Sequence, residues 1–226
     1  MALSRPLLYT YRRCPYAMRA RMGLLLAGVA FDAHEIVLRD KPQAMLSASP
    51  KGTVPVLVLA DDRVIEQSWE IVAWALTQAN APATAQDWWT RAETPDNQEL
   101  LRRNDGEFKF HLDRYKYPER FDAIGAESIQ SQKATHRAQA MEALLQPLEA
   151  RLAQHSFLGG STPCATDFGI FPFVRQFAAV DPAWFAEQPL SKLKAWLDYW
   201  VNHPLFLASM VKLPGNQPVL MSMEAS

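Results

Sequence analysis

The sequence of 226 residues contains only two cysteines, Cys14 and Cys164. Two thiols make no disulfide framework, and their scarcity predicts a reducing compartment. Charge of one sign is equally scarce: 23 basic side chains against 24 acidic ones leave a formal net charge of −1. No global field therefore favours nucleic acid or anionic lipid as a partner. Long apolar runs are missing too. The longest uncharged one, Met22 to Phe31, falls well short of the ~18–20 residues of a membrane span. No basic, apolar and small-residue tripartite pattern opens the chain, which predicts a cytoplasmic protein. There is no internal repeat, no low-complexity tract, no Gly-rich phosphate cradle and no Ser-His-acid spacing. None of the five histidines clusters with cysteines or carboxylates, so no metal site is expected. With 49% hydrophobic and 21% charged residues, the composition is that of a folded globular chain.

The first eighty residues alternate strand and helix. Leu7-Leu8-Tyr9-Thr10-Tyr11 is β-prone, and Pro15 suits the first position of a helix, where its missing N–H costs nothing. That helix runs to Gly28 through Ala, Leu, Met and Arg, all good helix formers. Ala33 to Leu38 alternates as a second strand, and Val54 to Leu59 is a continuous apolar run of buried-strand character. Asp61-Asp62 marks a tight turn, with Val64-Ile65-Glu66 returning as a hairpin partner. Ser68 predicts the N-cap of a helix carrying Trp69, Ile71, Val72, Trp74 and Leu76. Residues 1–80 thus predict a small α/β unit. Residues 81–94, with their Ala, Pro, Thr and Asp, predict a linker, and residues 95–226 an all-helical domain. There, Met141, Leu144, Leu145, Leu148 and Leu152 follow one buried helical stripe, interrupted by Pro147. Gly159-Gly160 predicts a stop, while Asp167 to Phe177 and Leu190 to Val201 predict further helices. The tail after Pro214 reads as an extended or weakly ordered arm.

Cys14 carries the most chemical information. A strand end followed by Cys-Pro at a helix start sets the sulfur beside unpaired backbone N–H groups and the positive end of the helix dipole. Arg12 and Arg13 add positive charge. Such settings lower a thiol pKa from ~8.5 to ~3.5–7.5, which makes thiolate available at neutral pH. The contrasting reading is a small buried hydrophobe. In Cys14-Pro15-Tyr16-Ala17 the place of a resolving cysteine is held by Ala17. A mixed disulfide on Cys14 must then be resolved by an outside thiol. Thr53-Val54-Pro55-Val56 puts a proline at the head of a strand, an edge or turn feature. If that peptide bond is cis, the Val54 backbone faces outward as a template for an extended peptide; if trans, it marks only a strand start. Glu66-Gln67-Ser68 precedes a helix. Its hydroxyl, amide and helix-terminal N–H groups make either a small carboxylate site or an ordinary cap.

Together these three motifs resemble the N-terminal, thioredoxin-like domain of the cytosolic glutathione transferases. Cys14-Pro15-Tyr16-Ala17 is similar in form to the cysteine-type, omega-like members. The resemblance extends along most of the chain and implies the family architecture, an α/β thioredoxin-like N-terminal domain with an all-α C-terminal domain. It implies Cys14 as nucleophile, Val54 and Pro55 on the cysteinyl part of glutathione, and Gln67 and Ser68 on its γ-glutamyl carboxylate. Lys41-Pro42 resembles the omega lysine-proline pair, whose lysine meets a glutathione carboxylate; read alone, Lys41 is equally a solvated loop lysine. Phe157-Leu158-Gly159-Gly160 and then Pro163-Cys164-Ala165-Thr166-Asp167 are similar to the family's loop into its buried central helix. Asp167 stands where the family closes a capping box, but Cys164 replaces the usual Ser or Thr and reads as buried and inert. The segment Phe108 to Tyr117 is dense in aromatic and basic groups. The family's helix here lines the second-substrate pocket, which implies that role for Phe108 and Tyr115. Periodicity alone makes the same segment a core stripe with a solvated charged side.

The resemblance implies glutathione as cosubstrate, no metal, a two-fold homodimer and a small-molecule or glutathionylated second substrate. Neither nucleic acid nor membrane is implied as a partner. The expected activity is thiol transfer or reduction through a Cys14–glutathione mixed disulfide, dehydroascorbate included. One alternative is conjugation of electrophiles, for which Tyr9, Tyr11 and Tyr16 lie near in sequence. Another is a non-catalytic binding or regulatory module. The joint presence of Cys14, Val54-Pro55 and Gln67-Ser68 separates these readings, because function resides in the site and not in the fold.

Overall fold

Leu7–Thr10 forms the first strand (β1) and Pro15–Leu26 the first helix (α1) of the computed structural model, which describes residues 4–121 and 129–223. Next come β2 (Phe31–Glu35), α2 (Gln43–Ala48), β3 (Val56–Val58), β4 (Val64–Ile65) and α3 (Ser68–Leu76). A helical stretch follows: α4 (Ala83–Ala92), α5 (Pro95–Arg103), α6 (Lys109–Lys116), α7 (Ile129–Ala140), α8 (Gln146–Gln154) and α9 (Ala165–Ala178). The chain continues through α10 (Pro182–Glu187), α11 (Ser191–Asn202), α12 (Pro204–Ser209) and β5 (Pro218–Met221). Two units result. One runs to Trp89 and resumes at Val201; the other is Thr90–Trp200. Among the described residues, no helix is long and apolar enough to cross a membrane.

In the first unit, five strands lie in the order β4-β3-β1-β2-β5. β1 and β2 are parallel and the other pairs antiparallel. A parallel pair needs a crossover, and α1 supplies it. Alternation along β1 sorts its side chains. Leu7 and Tyr9 join Ile36, Met45 and Val56 in the cluster beneath α2. Leu8 and Thr10 therefore point to the opposite face, toward α1. This helix is buried almost throughout, from Pro15 to Leu25 except at Tyr16, and it packs against α3 and α12. A β-carbon at Gly23 would lie 2.8 Å from Val72 Cγ2 and 3.2 Å from Val72 Cα, so only glycine lets α1 and α3 approach this closely.

Four expectations shift. The second strand starts at Phe31 rather than Ala33, because pairing with β1 begins at Leu7–Asp32, and Val37 and Leu38 are exposed. The supposed linker contains α4, whose Ala85, Trp88 and Ala92 bury one face at helical spacing. The tail is not a loose arm: residues 218–221 pair with β2, so the sheet recruits a strand from the far end of the sequence. Ser68 is the first residue of α3, and Gln67 occupies the cap position.

The second unit is all helical among its described residues. A π-helical turn at Met141–Leu145 precedes α8. Pro147 then falls in the first turn of α8, where its missing N–H is harmless, so the interruption expected there takes the form of a change of helical register. The carboxylate of buried Asp167 organises the entry to α9. It accepts from the backbone N–H of Leu158 at 2.9 Å, Gly159 at 3.2 Å and Cys164 at 2.9 Å, and from Trp196 Nε1 at 2.8 Å. Cys164 thus serves as N-cap despite its weak sulfur, because Asp167 closes the capping box from the other side.

Two stability predictions follow from this packing. Gly23→Ala is expected to cost about 1–3 kcal/mol in urea unfolding, since the backbone of α3 must move to admit a methyl group. Stability equal to wild type would show that α1 and α3 are not so closely apposed. Asp167→Ala leaves four donors unmet and should cost about 3 kcal/mol or more, with Asp167→Asn losing roughly half of that. Equal losses in the two variants would contradict the hydrogen-bond assignment.

Candidate functional site

The chain leaves the sheet at Thr10 and turns into α1 through Tyr11, Arg12, Arg13 and Cys14. The Cys14 N–H donates to the Tyr11 carbonyl at 3.0 Å, and the Cys14 carbonyl accepts from Met18 N–H at 2.9 Å. These bonds close the turn and start the helix, with Cys14 extended (φ −79°, ψ 122°) at the N-cap and Pro15 behind it. The sulfur is half-buried and lies 3.7 Å from the Val54 carbonyl, to which it donates. The Val54–Pro55 peptide bond is cis. Residues forty positions apart in sequence thus meet at one point.

Lys41 lies beside the same loop. Its Nζ is 3.5 Å from the place where a β-carbon on Gly52 would sit, just before Thr53 and Val54. Gln67 is exposed at the start of α3, and Ser68 is buried behind it. Glu66 accepts from Ser49 Oγ and pairs with Lys51 Nζ at 3.3 Å. Those two partners, Ser49 first, hold its carboxyl below the usual range. Cys14, Lys41, Val54, Pro55, Gln67 and Ser68 all belong to the first unit.

Two arginines inside α1 were not visible as site residues. Arg19 is fully buried; it stacks near Tyr16 and Trp69 at 5.7 and 5.6 Å, and its Nη1 donates to Ser68 Oγ at 3.4 Å. Arg21 is 1% exposed and faces the other way. Its Nη1 donates to Thr10 Oγ1 at 2.5 Å and its Nη2 to the Arg12 carbonyl at 3.0 Å. Burial pulls its pKa down to about 10, partly offset by the charges of Glu35 and Cys14. The signal available in the sequence was an Arg-x-Arg pair inside an otherwise apolar, Ala- and Leu-rich helix.

The second unit contains the remaining candidates. Phe108 and Tyr115 are core residues there, each packed against Phe177 at ring distances of 5.8 and 5.1 Å. The exposed aromatic of that helix is Phe110, with the Arg114 guanidinium 3.4 Å above its ring. Cys164 is fully buried, and burial, with the charge of Asp167, pushes its thiol up to about 12. Of the tyrosines near Cys14, Tyr9 is buried in the sheet and burial raises its hydroxyl pKa. Among the described residues, no group of three or more His, Cys, Asp or Glu side chains is arranged to hold a metal ion.

Comparison with known proteins bears on the family and the fold. Residues 8–83 match the family described as the glutathione S-transferase N-terminal domain, and residues 111–198 match its C-terminal domain. Glutathione S-transferase omega-1 of Mus musculus is 26% identical over 199 residues, covering 87% of this chain and 77% of the relative. A glutathione S-transferase structure from Xylella fastidiosa superposes with a TM-score of 0.75 at 18% identity, covering 91% of this chain and 97% of that one. A glutathione transferase family member from Pseudomonas fluorescens, solved with two glutathione bound, gives 0.72 at 16% identity, with 91% and 92% covered. The two family matches, one in each part of the chain, span most of its length, and a thioredoxin-like unit followed by a helical one is their architecture. The chain therefore belongs to the glutathione S-transferase family of glutathione-dependent transferases.

Proposed function

We propose that this chain is a cysteine-type glutathione transferase that works by thiol–disulfide exchange at Cys14. The observation that carries the reading is the meeting of half-buried Cys14, at the amino end of α1, with the Val54–Pro55 peptide. The similarity to an omega-1 transferase supports it. Glutathione is held by the Val54–Pro55 backbone at its cysteinyl part, by Gln67 and Ser68 at its γ-glutamyl carboxylate, and by Lys41 at a carboxylate. The chemistry needs no second protein thiol. The Cys14 thiolate attacks the glutathionyl sulfur of a mixed disulfide, forming Cys14–S–SG while the other thiolate leaves and takes a proton from solvent. A glutathione thiolate then attacks the glutathionyl sulfur, giving oxidised glutathione and returning the Cys14 thiolate. With dehydroascorbate as oxidant, two glutathiones supply the two electrons and two protons through the same sulfur. The burial of Tyr9 weighs against that residue as the activator of a conjugase, while Tyr11 and Tyr16 are half-buried.

The test is steady-state reduction of a glutathione mixed disulfide by wild type, Cys14→Ala and Cys164→Ala, alongside thermal melts. Cys14→Ala is expected to lose more activity than the ~10²–10⁴-fold typical of a missing general acid or base, because the covalent route itself disappears. Its melting temperature should be little changed. Cys164→Ala should keep its activity and lose about 0.5–2 kcal/mol of stability. Full activity in Cys14→Ala would place the chemistry on the wrong sulfur. Family membership also supports a cytoplasmic, two-fold homodimer. Light scattering at micromolar concentration should give twice the chain mass, and a clean monomer would remove that assignment.

A further inference from the structure

The Arg12 peptide is gripped on both sides. Its N–H donates to Glu35 Oε1 at 2.7 Å, and its carbonyl accepts from Arg21 Nη2 at 3.0 Å. This peptide begins the turn whose last residue is Cys14, and the other arm of Arg21 is tied to Thr10, the last residue of β1. One guanidinium therefore joins the strand end to the turn. The side chain is 1% exposed, and its Nε has no hydrogen-bond partner among the described residues. Its two partners are a hydroxyl and a carbonyl, both neutral, so the positive charge is buried without a carboxylate in contact. Glu35 sits on the same sheet face, in register with Thr10, but spends its carboxylate on the Arg12 N–H. Of the other elements around α1, α12 carries no charged residue and the one charge of α3, Glu70, is exposed. His34 lies on the opposite face against Tyr9. The charges that act on Arg21 are thus those of Glu35, of a Cys14 thiolate and of Arg12.

A positive charge with no carboxylate in direct contact, held away from water and only partly offset by Glu35, acts strongly on an ionisable neighbour. We propose that Arg21 is the positioning residue of the cysteine site: it fixes the Tyr11–Cys14 turn to the end of β1 and supplies the buried charge that stabilises the Cys14 thiolate. This inference rests on the reading of Cys14 as the reactive thiol. It moves the main electrostatic role from half-buried Arg12 and exposed Arg13 to a buried residue seven positions beyond the cysteine.

The experiment is the pH dependence of Cys14 alkylation by iodoacetamide, followed peptide by peptide in the full-length protein from pH 4 to 10. Arg21→Met removes the charge and keeps bulk, a substitution that buried sites commonly tolerate. Its alkylation midpoint is expected to rise by at least one pH unit, so that the rate at pH values below both midpoints falls about tenfold or more. Arg21→Lys, which keeps the charge but not the fork, should shift it by less than half as much. Should Arg21→Met not fold, Glu35→Gln gives the opposite sign: it leaves the guanidinium less compensated and keeps an acceptor for the Arg12 N–H, so the midpoint should fall. A wild-type midpoint well below 8.5 that does not move in Arg21→Met, or in Glu35→Gln, overturns the role of Arg21 and leaves Cys14 as the nucleophile. A wild-type midpoint at the ordinary thiol value overturns both.

Discussion

The site depends on the parallel pairing of β1 with β2, and above all on where that pairing stops. Thr10 and Glu35 are the last partners in register, and both point to the α1 face. Parallel strands oblige the chain to return through a helix, so the turn into α1 must begin at the carboxyl ends of the strands. Cys14 inherits its position from this geometry. A slip of β1 by one residue would turn Thr10 to the α2 face while Glu35 stayed on the α1 face. Arg21 would then lose its hydroxyl partner. Leu7 and Tyr9 guard against that slip, because the same shift would drag them out of the cluster with Ile36, Met45 and Val56.

Much of this could be read from residue order, and what could not shares one cause. The Cys-Pro helix start, the Val54-Pro55 pair and the Gln67-Ser68 helix entry are local patterns: Cys14 caps α1, Val54-Pro55 leads into β3, and the cap of α3 falls one residue earlier than Ser68. Arg19 and Arg21 are invisible to local rules. An arginine in a helix reads as a solvated helix former, and only Ser68, Thr10 and the Arg12 carbonyl, brought in by tertiary packing, explain its burial. β5 fails for the same reason: Pro218 to Met221 is too short to declare itself until β2 offers an edge. The α4 helix is a different case, since its apolar positions were present but masked by Pro, Thr and Asp around them. For Phe108 and Tyr115 the resemblance implied a second-substrate pocket and periodicity a core stripe; both are buried against Phe177, as a core stripe would be.

The two cysteines make a controlled comparison within one chain. Each is the N-cap of a helix, so each sees a helix dipole of the same sign. Their surroundings are opposite. Cys164 is sealed from water with the Asp167 carboxylate three residues on, and both factors disfavour a thiolate. Cys14 is reachable and has a buried guanidinium in its field. The two helix ends are alike; what separates the two sulfurs is exposure and the sign of the charge buried nearby.

The C-terminal strand has a bearing on how the molecule is made. Because residues 218–221 complete a sheet whose other strands all lie within the first 65 residues, that sheet cannot close while the ribosome is still translating the helices in between. During that interval β2 is an open edge, a strand with unpaired backbone groups able to accept any extended segment that passes. Once β5 is docked, the sheet ends in β4, two residues long, and β5, which opens with a proline that offers no N–H. The finished sheet is thus poorly suited to templating a neighbour, and its hazard is confined to the nascent chain.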